Sequence, residues 1–390
     1  MVAAQATGRS LRDWKISRFK GPAPARRWLI EGLIPAGTVG VFAAVGDAGK
    51  SMLALRLAYM VGCYQPLRVG DIDVSAPRFF GQPVTARGAA VVLTAEDDAD
   101  EVHRRLAALD KANLRDNADN VFVRPMLSDG GPRAILADGY NGPEPTPFWH
   151  ELRAELLQIP DLKLVVLDPL AHFVAASIDK DNRAAGALMA MLGGLAAETG
   201  ATVMLIHHMS KATVPTSLTD ARTAVRGAGA LVDNGRWALA MWEADKDDAY
   251  RALKALGQKE RAEQAGVVYL GGLAKGNAPG AKILRTLVRD LETGILEDVT
   301  DAIRAGTPRQ FEADDAAYEA LCAARFKDER FAFTGGERGL YALWHPAFKA
   351  HGLRVSRRHM RAIFERLKDR GLIIKTEGKK DGNPMYEPRI

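Results

Sequence analysis

The sequence predicts an α/β fold built on a mainly parallel, twisted sheet, with a smaller helical module after it. Three observations support this prediction. Short apolar runs alternate with helical stretches between about residues 36 and 300, one run leads through a glycine-rich turn into a helix, and the pattern changes after about residue 305. Such alternation is typical of parallel sheets, because each helix crosses back over the sheet before the next strand begins.

The individual elements follow from these runs. The predicted strands are TVGVFAAV (38–45), AAVVLTAE (89–96), NVFVRPM (120–126), KLVVLD (163–168), TVMLIHH (202–208), RWALAMW (236–242) and VVYLGGLA (267–274). The predicted helices between them are SMLALRLAYMVG, DDADEVHRRLAALDKA, TPFWHELRAELLQI and NRAAGALMAMLGGLAAET. Segments 65–88, 127–146 and 209–224 are rich in turn-forming or small polar residues, so we predict loops there.

Shifts in composition predict the domain organisation. We expect a flexible N-terminal arm over 1–25, an α/β core over 26–303, a linker over 304–312 and a C-terminal domain over 313–390.

Composition excludes several classes of protein. With 47% hydrophobic and 26% charged residues, the 390-residue chain is neither a disordered protein nor, with two cysteines, a disulfide scaffold. No apolar run is long enough for a transmembrane helix, and the first residues lack the apolar core of a secretory signal. Cys63 and Cys322 show no metal-type spacing. We therefore expect a cytoplasmic protein with no membrane partner.

The net charge of +5 is unevenly distributed. Residues 351–390 contain eleven Lys and Arg and five acids, so this segment carries +6 and the remaining 350 residues carry −1. The basic character therefore belongs to the C-terminal tenth of the chain, which points to an acidic partner there.

A phosphate-binding loop is predicted where the first strand ends. The loop VGDAGKS leads directly into an amphipathic helix, which is the strand–loop–helix context that such a loop requires. Ala44 replaces the first glycine of the motif, so the match is to its relaxed form. Lys50 is expected to reach the β- and γ-phosphates and Ser51 to hold Mg²⁺. The predicted nucleotide-binding residues are Gly46, Asp47, Ala48, Gly49, Lys50, Ser51 and Met52.

Two later strands end in acids. Asp168 closes the run KLVVLD, where ligands bind in open α/β sheets, and is the candidate acid for Mg²⁺. Glu96 closes AAVVLTAE and is the candidate carboxylate that polarises the attacking water. Asp97, Asp98 and Asp100 fit the first turn of the following helix, where acids favour the helix dipole, so we interpret them as caps.

Two histidines end the run TVMLIHH. We expect His208 at the tip of the strand, near the γ-phosphate, and His207 in the core. Adjacent histidines without further ligands are not a metal site.

The order of these motifs resembles a known family. GDAGKSMLALRLA, VVLTAEDDADEVHRRL, LVVLDPLAHF, MLIHHMSK and AVRGAGALVDNGRWAL together resemble the plasmid-type RepA replicative helicases, which are hexameric RecA-fold ATPases related to the DnaB core. The similarity runs from about Trp28 to about Glu297. It implies a RecA-like P-loop core, ATP and Mg²⁺ as cofactors, a homohexameric ring, and ATP hydrolysis coupled to movement on single-stranded DNA.

The resemblance also implies roles for individual residues. Lys50 and Glu96 correspond to catalytic residues, Asp168 to the Mg²⁺ acid and His208 to a sensor of the γ-phosphate. Arg226 corresponds to an arginine finger that reaches the ATP of a neighbouring subunit. Lys275 is a second candidate for a cation acting in trans. The 209–224 loop matches the position of the channel loop that grips single-stranded DNA, through Lys211 and Arg222 contacting backbone phosphates.

The C-terminal domain resembles a winged helix-turn-helix. VSRRHMRAIFERLKDRG reads as a helix and LIIKTEGKKDGNPMYEPRI as strand, basic turn and strand. In the DNA-binding version Arg357, Arg358 and Arg361 face the major groove of duplex DNA, while Lys379 and Lys380 contact phosphates. Winged helices also mediate protein contacts, so that alternative stays open.

Two other functions compete with a helicase. The first is a DNA-binding ATPase switch, a loader or regulator of a mobile element that does not unwind DNA. The second is a small-molecule phosphotransferase on a P-loop fold, which the basic C-terminus disfavours.

Overall fold

The computed structural model describes residues 10–63, 68–69, 72–73, 77–110, 113–176, 178, 181–209, 215–225, 229–278, 282–305, 317–318, 320–321, 331–332, 339–340, 342–344, 346, 357–369, 373–376 and 385–388. The strands within these ranges are β1 (Trp28–Ile30), β2 (Ile34–Pro35), β3 (Val39–Ala44), β4 (Arg68–Val69), β5 (Ile72–Asp73), β6 (Arg78–Phe79), β7 (Gln82–Pro83), β8 (Ala89–Thr94), β9 (Val121–Pro125), β10 (Leu136–Gly139), β11 (Gly142–Pro145), β12 (Leu162–Asp168), β13 (Thr202–His208), β14 (Trp237–Glu243), β15 (Val268–Gly276), β16 (Arg285–Arg289), β17 (Leu296–Asp298), β18 (Phe331–Ala332), β19 (Ile373–Thr376) and β20 (Met385–Pro388).

The helices of the described ranges include α1 (Lys50–Gly62), α2 (Ala99–Leu109), α3 (Pro147–Gln158), α4 (Asn182–Thr199), α5 (Leu218–Ala224), α6 (Gly229–Asn234), α7 (Lys246–Ala255), α8 (Thr300–Ala305) and α9 (Arg357–Asp369), and residues 317–318, 320–321, 340, 342–344 and 346 are also helical. Short 3-10 turns occupy Leu11–Trp14, Ile16–Phe19, Leu114–Asn117, Met126–Ser128, Leu170–Phe173 and Lys259–Arg261. Each of the seven predicted strands and the four predicted helices is present, with ends displaced by a few residues. The predicted α/β fold class is therefore confirmed.

The chain divides into two compact units. As far as its residues are described, the first contains Met1–Ala44, Lys50–Ala240 and Leu273–Ile283. Its centre is a parallel sheet with the strand order β9-β8-β12-β13-β3. Strands β3, β8 and β12 are almost entirely buried, which fits a sheet covered on both faces.

The register of this sheet aligns the carboxyl ends of its strands. His208 at the end of β13 lies opposite Ala44 at the end of β3, and Asp168 at the end of β12 lies opposite Thr94 at the end of β8. Strand β13 separates β3 from β12. The polar residues that follow these apolar strands therefore emerge at one edge of the sheet.

The helices of the first unit begin and end at recognisable signals. Thr146 caps α3 by accepting a hydrogen bond from the Trp149 N–H, and Pro147 occupies the first helical turn. Helix α4 ends at Gly200, whose φ of 74° is the left-handed conformation that glycine adopts most easily. These signals fix where each crossover returns to the sheet.

The second unit contains Val45–Gly49, Met241–Gly272 and Leu284–Ile390, as far as these are described. Strands β15, β16 and β17 pair antiparallel, and α7 contributes Ala252 and Leu253 to a small core with Val268 and Val288. The antiparallel pairing places Arg285 and Arg289 at opposite ends of β16.

Within this unit, the described C-terminal residues have their own core. Helix α9 buries Met360, Ile363, Phe364 and Leu367, at the three- and four-residue spacing of an amphipathic helix, whereas Arg361 is exposed. Strands β18, β20 and β19 form a three-stranded antiparallel sheet. Helix α9, the helical residues at 317–321 and 340–346 that are described, and a small sheet agree with the elements expected of a winged helix, but the winged-helix assignment and its domain boundaries stay predictions.

The three segments predicted as loops contain regular structure, so that prediction was wrong in part. Strands β6 and β7 form a hairpin within 65–88, and β10 and β11 form one within 127–146, around the two-residue turn Tyr140–Asn141. Within 209–224, Ser217 accepts a hydrogen bond from the Asp220 N–H and starts α5. Gly and Ser are typical of tight turns and helix caps as well as of loops, and composition alone does not separate these uses.

No helix in the described ranges is both long enough and apolar enough to span a membrane.

Candidate nucleotide-binding site

The glycine-rich turn Val45–Gly49 connects β3 to α1. Asp47 and Gly49 both have positive φ, 58° and 81°, and Asp47 is exposed while Ala48 is buried. Alternation of right- and left-handed residues gives a turn whose successive N–H groups converge on an anion. The turn therefore has the backbone conformation expected of a phosphate-binding loop.

Lys50 begins α1 and its side chain closes the loop. Its Nζ donates a hydrogen bond to the Ala44 carbonyl at 3.2 Å and lies 3.4 Å from His208 Nδ1. Only 6% of Lys50 is exposed. A buried ammonium needs acceptors nearby, so the lysine and His208 stand together at the strand tips, where the sequence placed them.

Ser51 and Asp168 form a second pair at this edge of the sheet. The Ser51 hydroxyl hydrogen-bonds to the Asp168 carboxylate, which is 3% exposed. Burial raises the pKa of Asp168 to about 6, and Asp97 and Glu96 add to the increase, whereas the Ser51 hydrogen bond and Lys50 oppose it. A divalent cation beside Asp168 would favour its ionised form.

Glu96 stands just beyond β8, on the exposed side of the site. Its carboxylate lies 3.4 Å from His172 Nε2, and about half of each side chain is exposed. An accessible carboxylate at this edge can contact water.

Asp97 is the residue that the sequence interpretation misplaced. It is not a helix cap, because Asp98 is the residue that accepts the hydrogen bond from the Glu101 N–H at the start of α2. Asp97 is instead buried, 2.7 Å from Arg105 Nη1 and 3.5 Å from the Thr94 hydroxyl. Burial raises the pKa of Asp97, and Arg105 opposes this. The capping pattern Asp98-x-x-Glu101 was the signal that separates Asp97 from the helix.

Lys275 is bound to the end of a helix of its own chain. Its Nζ donates to the carbonyls of Val232, Asp233 and Gly235 at 2.7, 2.8 and 2.9 Å. These three bonds use all three hydrogens of the ammonium group, and the carbonyls that accept them lie at the C-terminal end of α6. Burial lowers the pKa of Lys275. Within the chain the residue therefore caps α6, and its role as a cation acting in trans stays a prediction.

The predicted DNA-contacting residues are only partly covered by the described ranges. Arg222 lies on α5 and pairs with Asp233 at 3.8 Å, with both side chains at least half exposed. Arg361 lies on the exposed face of α9, and Arg357 and Arg358 lie in its first turn. The predicted residues outside the described ranges are Lys211, Arg226, Lys379 and Lys380.

The donor set suits ATP and Mg²⁺. A serine hydroxyl and a carboxylate are the hard oxygen ligands that Mg²⁺ prefers, with phosphate oxygens completing its shell. No three His, Cys, Asp or Glu side chains of the described residues cluster as an independent metal site. Ser51 and Asp168 fit a cation brought in with a nucleotide, and Lys50 fits its phosphates.

A family model described as "AAA domain" matches residues 5–214, more than half of the chain. Among solved structures, the chain is similar to the RadB recombinase, with 12% identity over 68% of this chain and 91% of that one and a TM-score of 0.39. It is also similar to a KaiC-like protein of Pyrococcus horikoshii, with 13% identity over 70% of this chain and 99% of that one and a TM-score of 0.40.

Proposed function

The chain belongs to the AAA domain family, and we propose that it is a cytoplasmic ATP-dependent DNA helicase that hydrolyses ATP at the subunit interfaces of a homohexamer. The observation that carries the proposal is the group of Lys50, Ser51, Asp168 and His208 at the carboxyl edge of one parallel sheet. This arrangement supports nucleotide hydrolysis, and the resemblance of the later motifs to RepA helicases supports DNA as the partner.

The chain's own residues divide the chemistry between them. The loop N–H groups and Lys50 bind the phosphates, while Ser51 and Asp168 hold Mg²⁺, which supplies charge neutralisation when bound. Glu96 orients and deprotonates the attacking water, since it is the accessible carboxylate of the group. His208 senses the γ-phosphate, and Arg226 of one subunit neutralises charge at the ATP of the next.

DNA is held by two regions in this proposal. The 209–224 loops contact the backbone of a single strand through Lys211 and Arg222 as they move with each hydrolysis step. The C-terminal domain binds duplex DNA through Arg357, Arg358, Arg361, Lys379 and Lys380.

An ATPase switch that does not unwind DNA is the second candidate. Two observations favour it: the segment 209–224 contains no aromatic residue to stack on bases, and Arg222 already pairs with Asp233. This candidate shares the nucleotide site and differs in having no translocation.

Strand displacement on a forked duplex tests the proposal. We expect ATP and Mg²⁺ to drive unwinding by the wild-type protein, and Lys50→Ala to abolish both hydrolysis and unwinding, because the phosphates lose their cation. Lys254→Ala, on the exposed face of α7, is the matched control and should retain both activities. DNA-stimulated hydrolysis without unwinding would establish the switch, and hydrolysis indifferent to DNA would favour a phosphotransferase.

A further inference from the structure

A cation from a distant part of the chain contacts the outside of the phosphate loop. Arg289, the last residue of β16, donates a hydrogen bond from Nη2 to the Asp47 carbonyl at 2.5 Å. No sequence motif marked this arginine, and it is separate from the residues assigned above to phosphate and Mg²⁺.

Two further contacts hold Arg289, one at its side chain and one at its backbone. Its Cζ lies 4.8 Å from the centre of the Tyr269 ring, a cation–π contact with β15. Arg261 donates a hydrogen bond to the Arg289 carbonyl at 2.9 Å, which fixes the end of the strand. An arginine held at its backbone and at its side chain is preorganised, so its hydrogen bond to the loop costs little further ordering.

The loop is in close contact with this strand pair. A Cβ placed on Gly49 would lie 3.0 Å from Leu296 Cδ1 and 3.2 Å from Arg289 Nη2, and the φ of Gly49 is itself left-handed. The absence of a side chain at Gly49 therefore lets β16 and β17 approach the loop.

The geometry of the peptide bond gives this contact a consequence. The Asp47 carbonyl and the Ala48 N–H belong to one planar, trans peptide unit, so they point in opposite directions. A donor that fixes the carbonyl outward also fixes the N–H toward the other side of the loop. Ala48 is one of the residues whose N–H is expected to bind phosphate.

We propose that Arg289 is a positioning residue of the nucleotide site, which holds the Asp47–Ala48 peptide so that the Ala48 N–H faces the phosphates. This inference rests on the proposed nucleotide site. Because Arg289 acts through the loop, its effect must be the same for any nucleotide that carries the phosphates the loop binds, whatever its base.

Calorimetric titration of ATP, ADP and GTP into the intact protein, with Mg²⁺ and without DNA, tests this role. We expect Arg289→Ala to lower the affinity for ATP and for ADP by a similar factor of roughly ten, the usual effect of losing one charge-assisted hydrogen bond. The ATP-to-GTP affinity ratio should not change. In steady-state hydrolysis the KM for ATP should rise while kcat stays near its wild-type value.

Matched variants separate positioning from loss of folding. Arg289→Lys keeps a cationic donor and should recover part of the affinity, and Arg289→Gln supplies a neutral donor on a shorter side chain and should recover less. Arg251→Ala removes an exposed arginine of α7 and should bind all three nucleotides as the wild type does. Thermal unfolding of each variant reports whether the fold is intact.

Several results would overturn the inference. A loss confined to ATP would mean direct contact with the γ-phosphate, and a changed ATP-to-GTP ratio would mean contact with the base. Unchanged affinity in a folded Arg289→Ala protein would remove the role altogether. If the wild-type protein binds none of the nucleotides, the proposed function fails as well, whereas failure of strand displacement alone leaves the role of Arg289 standing.

Discussion

Asp168 combines two properties that are usually opposed: it is buried, and the role proposed for it requires a charged carboxylate. Removal from water disfavours its ionised form, and a single hydrogen bond from Ser51 and the charge of Lys50 only partly compensate. If Asp168 holds Mg²⁺ as proposed, the bound cation reverses this cost. Asp168 is therefore expected to reduce the stability of the protein without nucleotide.

The pH dependence of stability should reveal this cost. The pKa of Asp168 in the folded protein, about 6, is above its ordinary value of 3.8, so protonation favours the folded state. The stabilising contribution of protonated Asp168 is fully present below its pKa in the unfolded chain and is lost as the pH rises through 6. Without nucleotide and Mg²⁺, lowering the pH from 7.5 to 4.5 should therefore raise the free energy of unfolding of the wild type by about 2 kcal/mol relative to that of Asp168→Asn.

Urea unfolding of both proteins at the two pH values measures that difference. Asp138→Asn, at an exposed carboxylate of β10, is the control and should track the wild type. Parallel pH curves for wild type and Asp168→Asn would contradict the assigned burial cost.

Asp97 shows what a local pattern misses at this scale. Four acids within five residues look equivalent in the sequence, yet the structure exposes Glu96, buries Asp97 against Arg105 and uses Asp98 as a cap. The cap was predictable from Asp98-x-x-Glu101, whereas the burial of Asp97 depends on how its side chain packs with Arg105 of α2 and Thr94 of β8.

At the scale of elements, one carboxylate connects two helices of the first unit. Asp110 follows α2 and accepts hydrogen bonds from the Tyr59 hydroxyl on α1 at 2.7 Å and from the N–H groups of Leu114 and Arg115 at 2.8 and 3.0 Å. Burial alone would raise the pKa of Asp110, but these hydrogen bonds outweigh it and lower the pKa.

Asp110→Ala should destabilise the protein by about 3 kcal/mol, since it leaves three donors without their acceptor at about 1 kcal/mol each. Because the pKa of Asp110 is lowered, its stabilisation is present above the unfolded pKa and decreases as the pH falls, so the difference between wild type and variant should shrink in acid. Urea unfolding at pH 7 and below pH 4 measures both effects. Asp116→Ala, in the exposed part of the same segment, should change stability little, and an equal loss there would argue against the assigned hydrogen bonds.

For the whole molecule, the excess of positive charge lies at the C-terminal end of the sequence, outside the elements of the parallel sheet. The C-terminal forty residues carry +6 while the other 350 carry −1. Helix α9 keeps its apolar residues inside and Arg361 outside, and a basic helix surface would attract a polyanion.

Reversing three charges on α9 tests the proposal that this helix binds duplex DNA. The variant with Arg357→Glu, Arg358→Glu and Arg361→Glu should lose at least roughly tenfold in duplex affinity at low salt and show a shallower salt dependence, because fewer counterions are released. Fluorescence anisotropy at several salt concentrations measures both. A triple reversal on the exposed face of α7, with Lys246→Glu, Arg251→Glu and Lys254→Glu, changes net charge equally. Equal loss in the two variants would mean that only net charge matters, and no loss in either would point to a protein partner for this domain.

The sequence by itself was enough to predict the fold class and the phosphate loop, because patterns of contiguous residues indicate both. An apolar strand, a glycine-rich turn and a helix at 38–58 need no distant partner to be recognised, and the AAA domain match over 5–214 agrees with them. The finer assignment to RepA helicases rests on motif order and stays a prediction.

Only the tertiary structure decided which of these residues meet. It placed β13 between β3 and β12, so that His208 stands beside Lys50, and it placed Arg289 on the carbonyl of Asp47, more than two hundred residues away in the chain. Such contacts depend on strand order and register, which come from packing the whole set of apolar faces together. The spacing of apolar residues along the sequence predicts the individual strands and helices, but it does not predict the order or register in which they pack.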